Sequence, residues 1–203
     1  MKQQTTGETL CPLARAAAII ADRWTILILR ELRMGNDRFD GIHAQTGMSP
    51  NLLTQRLKTM EDNGLIERRL YQERPKRYAY CVTDKTRELD GMMLTLRLWG
   101  MRHCGLDPQA EGAVTMKHRR TGAIIGSDWQ PEEADLPFNF SQVETRVNAA
   151  WAAERAARAD AFAAGRRVQV ANRVPQKKRA AASSKTASKK GAPRKRHAAS
   201  VKD

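Results

Sequence analysis

The chain has 203 residues, 41% of them hydrophobic, with 36 Lys and Arg against 22 Asp and Glu for a net charge of +14. That length admits one domain of ordinary size plus a smaller addition, and excludes two large enzyme domains. Residues 1–140 hold 20 basic and 18 acidic side chains, 141–165 hold 3 and 3, and 166–203 hold 13 and 1, so almost all the excess sits at the C-terminal end.

A run of like charge repels itself, resists packing and gains free energy by releasing counterions from a phosphate backbone. It implies a polyanionic partner, nucleic acid ahead of an anionic membrane surface. The longest apolar stretches, Ala16 to Ala21 and Ile26 to Leu29, fall far short of the roughly 20 residues that cross a bilayer. Gln3, Gln4, Glu8 and Arg15 interrupt any secretory core, so the expectation is a cytoplasmic protein without a membrane partner. Cys11, Cys81 and Cys104 form no C-x-x-C pair and suggest neither a disulfide framework nor a zinc site.

In chain order, Cys11-Pro12 opens a short helix with Leu13, Ala16, Ala17 and Ile20 on one face. Asp22 caps a second helix, whose Trp24, Ile26, Leu27, Ile28, Leu29 and Leu32 are too apolar for exposure and which Gly35-Asn36 ends. A third short segment runs from Phe39 to Thr46 and stops at Gly47. Ser49-Pro50 then pairs an N-cap with a proline at the first helical position. On a wheel with Leu53 at zero, Leu57 and Met60 fall at about 40° and −20°, and Asn51, Gln55 and Lys58 at about 140° to 200°. One face is apolar and the opposite face carries hydrogen-bonding groups.

After Asn63-Gly64 the pattern becomes extended: Leu65 to Gln72, a turn at Glu73-Arg74-Pro75-Lys76, then Arg77 to Thr83 with Tyr78, Tyr80 and Val82 alternating. This predicts a hairpin with a basic tip. Thr83-Asp84 leads into one long helix with an apolar stripe of Leu89, Met92, Met93, Leu96 and Trp99, ending near His103 to Gly105. So wide a stripe near a domain edge implies a partner.

Farther on, Ala113 to Met116 and Ala123 to Ile125 are expected to pair as a second small hairpin about Arg119-Arg120-Thr121-Gly122, followed by loop from Asp128 to Asn139. Ser141-Gln-Val-Glu144 reads as a capping box opening an Ala-rich helix to about Ala164. Beyond Gly165 the Lys, Arg, Ala and Ser composition cannot offset its ordering entropy and is expected to be disordered.

The order of helices, capped helix, basic hairpin and long helix is that of a winged helix-turn-helix, mainly α with a small β wing. Cys11-Pro-Leu, Trp24-Thr-Ile-Leu-Ile-Leu-Arg-Glu-Leu32, Arg38-Phe39, Ser49-Pro50, Leu53-Thr-Gln-Arg-Leu57, Gly64-Leu-Ile-Glu-Arg68 and Val82-Thr83 resemble the HxlR-type regulators, relatives of the MarR group. The resemblance spans roughly Leu10 to His103 and implies a homodimeric bacterial transcription factor with one recognition helix per subunit in the major groove. The expected division is a winged DNA-binding and dimerisation domain at 10–104, a small extension at 105–140, an Ala-rich helix at 141–165 and a basic tail at 166–203. The tail resembles histone-like nucleoid proteins in composition.

Ser49, Asn51, Thr54 and Gln55 at the start of the fourth helix suit base edges and phosphate, and Lys58 one turn later suits phosphate. Arg74, Lys76 and Arg77 at the hairpin tip suit phosphate or the minor groove. A polar face that is merely solvated is the competing reading. Leu13, Ile20, Met92, Leu96 and Trp99 are the expected dimer seam, with a small-molecule effector pocket lined by the long helix as the alternative.

Cys11 is ambiguous: the resemblance implies an oxidant or electrophile sensor, and a helix N-terminus favours a thiolate, while a lone Cys is equally a small hydrophobe. Cys81 is expected to be buried in a strand, and His103 with Cys104 makes no convincing metal pair. His43, His103, His118 and His197 offer no nucleophile–base pairing and no phosphate loop is present, so no catalysis, metal or cofactor is expected. Two functions remain: a sequence-specific DNA-binding regulator, taken as a dimeric repressor, whose tail adds non-specific affinity, and an architectural nucleoid-associated protein that binds DNA through the tail.

Overall fold

The computed structural model describes residues 9–106 and 112–187. The chain divides into two compact units, 1–159 and 160–203. The first unit begins with α1 (Pro12–Ile20), α2 (Arg23–Arg33), α3 (Phe39–Thr46) and α4 (Pro50–Asp62). Asp22 caps α2 by accepting the N–H of Trp24 at 2.8 Å and of Thr25 at 3.3 Å, satisfying donors that the first helical turn leaves without partners. Ser49 does the same for α4 through the N–H of Leu52 at 3.3 Å, with Pro50 following it.

The apolar faces of α2, α3 and α4 meet in one core. Ile28, Leu29 and Leu32 of α2, Ile42 of α3 and Leu53, Leu57 and Met60 of α4 are buried together, with Leu65 and Ile66 beneath them. Each fully buried Leu or Ile contributes about 1.5 to 3 kcal/mol relative to exposure. Gly64, at φ 68°, lets α4 turn directly into β1 (Ile66–Gln72). β1 pairs antiparallel with β2 (Arg77–Val82), from Ile66 opposite Val82 to Leu70 opposite Tyr78. A bridge between Arg38 and Ala79, and the Tyr80 N–H donated to the Asp37 carbonyl at 2.8 Å, fasten this hairpin to the start of α3. The fold is a winged helix-turn-helix, mainly helical with a small β wing.

The expected single long helix is two: α5 (Asp84–Arg87) and α6 (Asp90–His103). The Thr83 hydroxyl caps the start of α5 and the Thr86 hydroxyl donates to the Leu65 carbonyl at 2.6 Å, while at the break the Leu89 N–H donates to the Thr86 carbonyl at 3.0 Å, a tighter turn than an α-helix makes. The new start buries Asp90, which pairs with Arg33 and accepts the Phe140 N–H at 3.0 Å.

The extension also departs from expectation. β3 (Val114–His118) pairs not with Ala123 to Ile125 but with β4 (Val143–Val147), in antiparallel register from Val114 opposite Val147 to His118 opposite Val143. The expected hairpin is reduced to one bridge, Lys117 to Ile124. Ser141 to Glu144 does not open a helix. The capping box is Asn139 with Gln142 around a short 3-10 turn, and the alternating Val-Glu-Thr-Arg-Val that follows is a strand, as β-branched residues at period two favour. Ile125, Phe138 and Val143 form a second core with Leu94 and Leu98 of α6, flanked by Met101, Met116, Trp129 and Phe140. Part of the α6 stripe is thus covered by the chain's own extension.

The Ala-rich helix, α7 (Ala149–Ala187), starts after Asn148, whose side chain accepts the Trp151 N–H at 3.0 Å. It continues past the expected end near Ala164 and through residues assigned to the disordered tail; Ala, Arg, Lys and Gln are all strong helix formers. Residues 188–203 of the expected tail lie outside the described residues. In the second unit, Arg166 lies over the Phe162 ring at 5.7 Å.

Candidate nucleic-acid interface

Burial of Leu53, Leu57 and Met60 fixes the rotation of α4 and leaves Asn51, Thr54, Gln55 and Lys58 exposed on its outer side. The Thr54 hydroxyl donates to the Pro50 carbonyl at 2.8 Å, so what it offers outward is acceptor capacity and a methyl group. The side-chain amides of Asn51 and Gln55 make no hydrogen bond among the described residues. Each keeps two donors and a carbonyl acceptor, the set that matches the major-groove edge of adenine. Ser49 is exposed and engaged as the cap.

The wing repeats the pattern with charge. Arg74, Lys76 and Arg77 are exposed at its tip, and among the described residues neither they nor Lys58 form an ion pair. Arg68 and Arg69, on the neighbouring strand, are instead tied to Glu61 at 2.8 Å and Glu67 at 2.5 Å, and these carboxylates raise both arginine pKa values. Four cations are therefore available to phosphates without first breaking a bond.

Two residues that position the site stand in the family motifs of the sequence, Arg38-Phe39 and Leu53-Thr-Gln-Arg-Leu57, but carry no site role there. Arg38 pairs with the wing through its backbone and lays its guanidinium over the Tyr71 ring at 4.6 Å. Arg56 reaches Asp22 at 3.1 Å, joining α4 to the cap of α2. Arg38-Phe39 stood in the motif set, but the partner of Arg38 lies 33 positions away and has no local signal.

The expected dimer residues do not all lie alike. Leu13, Met92, Leu96 and Trp99 are exposed, Leu13 by 78% and Trp99 by 52%. Ile20 packs against the first core. Cys11 is exposed at the N-cap of α1 and makes no side-chain cap, Cys81 is half-buried rather than buried, and Cys104 is exposed at the end of α6. His118 is buried, with Nδ1 3.1 Å from the Thr121 hydroxyl and Nε2 3.4 Å from Asp135. Among the described residues no group of three or more His, Cys, Asp or Glu could hold a metal ion, and no helix is long and apolar enough to cross a membrane.

Residues 19–108 match the HxlR-like helix-turn-helix family. The HTH-type transcriptional regulator YodB of Bacillus subtilis is 32% identical over 100 residues, 48% of this chain and 89% of YodB. An HTH-type transcriptional regulator of Mycobacterium tuberculosis is 32% identical over 111 residues, 54% of this chain and 68% of that protein. The crystal structure of PA1607 is similar at a TM-score of 0.53 and 25% identity, over 70% of this chain and 97% of that one. The likeness to PA1607 covers more of the chain than the winged region alone.

Proposed function

Because the chain belongs to the HxlR-like helix-turn-helix family of transcriptional regulators, we propose that it is a homodimeric repressor that reads a specific operator with α4 and the wing. The observation that carries this is the α4 face itself: two unengaged amides beside cations that have no carboxylate partner. In helix-turn-helix proteins the N-terminal residues of the second helix contact base edges. Asn51 and Gln55 are assigned that role, with Thr54 as acceptor and Ser49 as cap and phosphate contact. Lys58, Arg74, Lys76 and Arg77 hold phosphates.

The exposed Leu13, Met92, Leu96 and Trp99 support a seam between two copies. Changing Leu96 and Trp99 together to Glu is expected to give monomers with weak DNA binding; an unchanged dimer in ultracentrifugation would remove the seam. Exposure of Cys11 at a helix start supports a thiol sensor. Peroxide or a quinone should then release DNA from the wild type and not from Cys11→Ser.

The charge of residues 166–203, 13 basic against 1 acidic, favours a second reading, in which the protein is architectural and binds chiefly through its tail. Competition between the protein's own upstream DNA and bulk DNA, with the full chain and with residues 166–203 removed, separates the two. The repressor keeps its preference after truncation, while the slope of log K against log salt flattens by about 0.9 for each phosphate that the tail had neutralised. Loss of discrimination with the folded part intact would favour the architectural reading.

A further inference from the structure

A cavity of about 700 Å³ lies between α2, α6 and the β3–β4 sheet, within the 300 to 1,000 Å³ typical of small-molecule sites. Its apolar walls include Ile26 and Leu27 of α2, Met93 and Met101 of α6, and Phe140 and Trp151. Gly100 lines it as well, and a Cβ there would meet only the Cys104 sulfur, at 4.0 Å.

The polar lining has one sign: four arginines, Arg30, Arg33, Arg97 and Arg119, and no Asp or Glu. Arg30 is bound to Glu31 and Arg33 to Asp90. Arg97 differs. It is half-buried, donates to the carbonyls of Ile125 at 3.2 Å and Val114 at 2.9 Å, and meets no carboxylate among the described residues. Burial lowers its pKa, with no neighbouring anion to oppose the shift. A guanidinium has five N–H donors in a fork that fits a carboxylate, and a cation drawn out of water without a counterion is costly. Exposed Arg119, which donates to the Ser141 carbonyl at 3.1 Å, is the second of the four without a carboxylate partner among the described residues.

We propose that this cavity binds a small apolar molecule bearing a single carboxylate, its alkyl or aryl body against the methionine and aromatic walls and its carboxylate on Arg97. The proposal goes beyond the operator reading and is tested in the absence of DNA, so either can fail alone.

Calorimetric titration of the full chain with decanoate, below its micellar concentration, and with 1-naphthoate is compared with decan-1-ol and 1-naphthamide. The acids are expected to bind at least about 10-fold more tightly than their neutral counterparts, as a charge-assisted bond implies. Arg97→Met should erase that preference and Arg97→Lys restore part of it. Arg97 also ties α6 to β3, so Gly100→Phe provides a second variant. It fills the cavity from a helix wall with open space beside it and leaves every charge in place. It should abolish binding of acid and neutral probes alike while circular dichroism and the melting temperature hold. Binding of acid and neutral probes with equal strength would overturn the proposal. So would unchanged binding in folded Gly100→Phe, which would locate the acids on the basic tail, or no binding by the wild type, as when a second copy fills the cavity.

Discussion

The winged region and the extension carry similar side chains and use them in opposite ways. On α4 and the wing tip, Lys58, Arg74, Lys76 and Arg77 stand in water with no carboxylate partner. In the extension Arg120 is clamped by Asp135 and Glu132, both at 2.7 Å, and Asp135 also approaches buried His118. Charges kept free at a surface are available to a polyanion; charges paired within the fold orient the elements that carry them. Arg97 belongs to neither class, since it is partly desolvated yet without an anion, and for that reason it marks a ligand site.

The largest way to break this comparison is to remove an inward charge. Glu31 is fully buried and accepts from Arg155 at 2.5 Å, Asn36 at 2.9 Å and Arg30 at 2.7 Å. Glu31→Gln leaves largely buried Arg155 without its counter-charge and should cost about 3 to 5 kcal/mol in urea unfolding. Burial pushes the Glu31 pKa up, but the bonds from Arg155, Asn36 and Arg30 outweigh it and hold it below 4.5. A lowered folded pKa means its contribution is fully present above the ordinary value of 4.5 and is lost as pH falls below that, through the lowered folded pKa. Asp90 works in the opposite sense: burial raises its pKa despite the Phe140 N–H and Arg33, so its contribution is present at low pH and lost as pH rises through the raised value. Glu31→Gln should therefore flatten the acid-side loss of stability while leaving the Asp90 component.

Leu98→Ala, in the second core, should cost about 2 to 5 kcal/mol yet leave operator preference intact, because the α4 face does not depend on that packing. A loss of preference matching the loss of stability would show the two regions to be one cooperative element. Gln55→Ala should do the reverse, leaving the melting temperature unchanged and costing about 1 to 3 kcal/mol at the operator with little change on random DNA. Equal losses on both DNAs would make Gln55 a backbone contact. The smallest expected effect is that of Ser49→Ala, about 1 kcal/mol of stability from a lost helix cap, read by thermal melting.

The winged region was legible in the sequence because its signals are local. Asp22 and Ser49 cap helices within three residues of themselves, and the period of Leu53, Leu57 and Met60 sets the α4 face whatever lies beyond. The alternation of Tyr78, Tyr80 and Val82 likewise marks a strand whose partner precedes it across a short turn. In the extension the same kind of local signal misled. Ser141 to Glu144 fits a capping box by spacing, but Val143 to Val147 joins β3, whose residues lie some 25 to 33 positions earlier, and that pairing overrides the local preference.

By itself, then, the amino-acid order determined the four helices that precede the wing, the apolar face of α4 and which residues the α4 face and wing tip present, since each depends on contacts within a turn or a hairpin. Only the tertiary structure decided that α6 is shared between two cores, that Glu31 meets Arg155 across 124 positions, and that Arg97 lies in a cavity wall without a counterion. Those outcomes depend on which distant surfaces exclude water together, and periodicity along a chain carries no information about the identity of a distant partner.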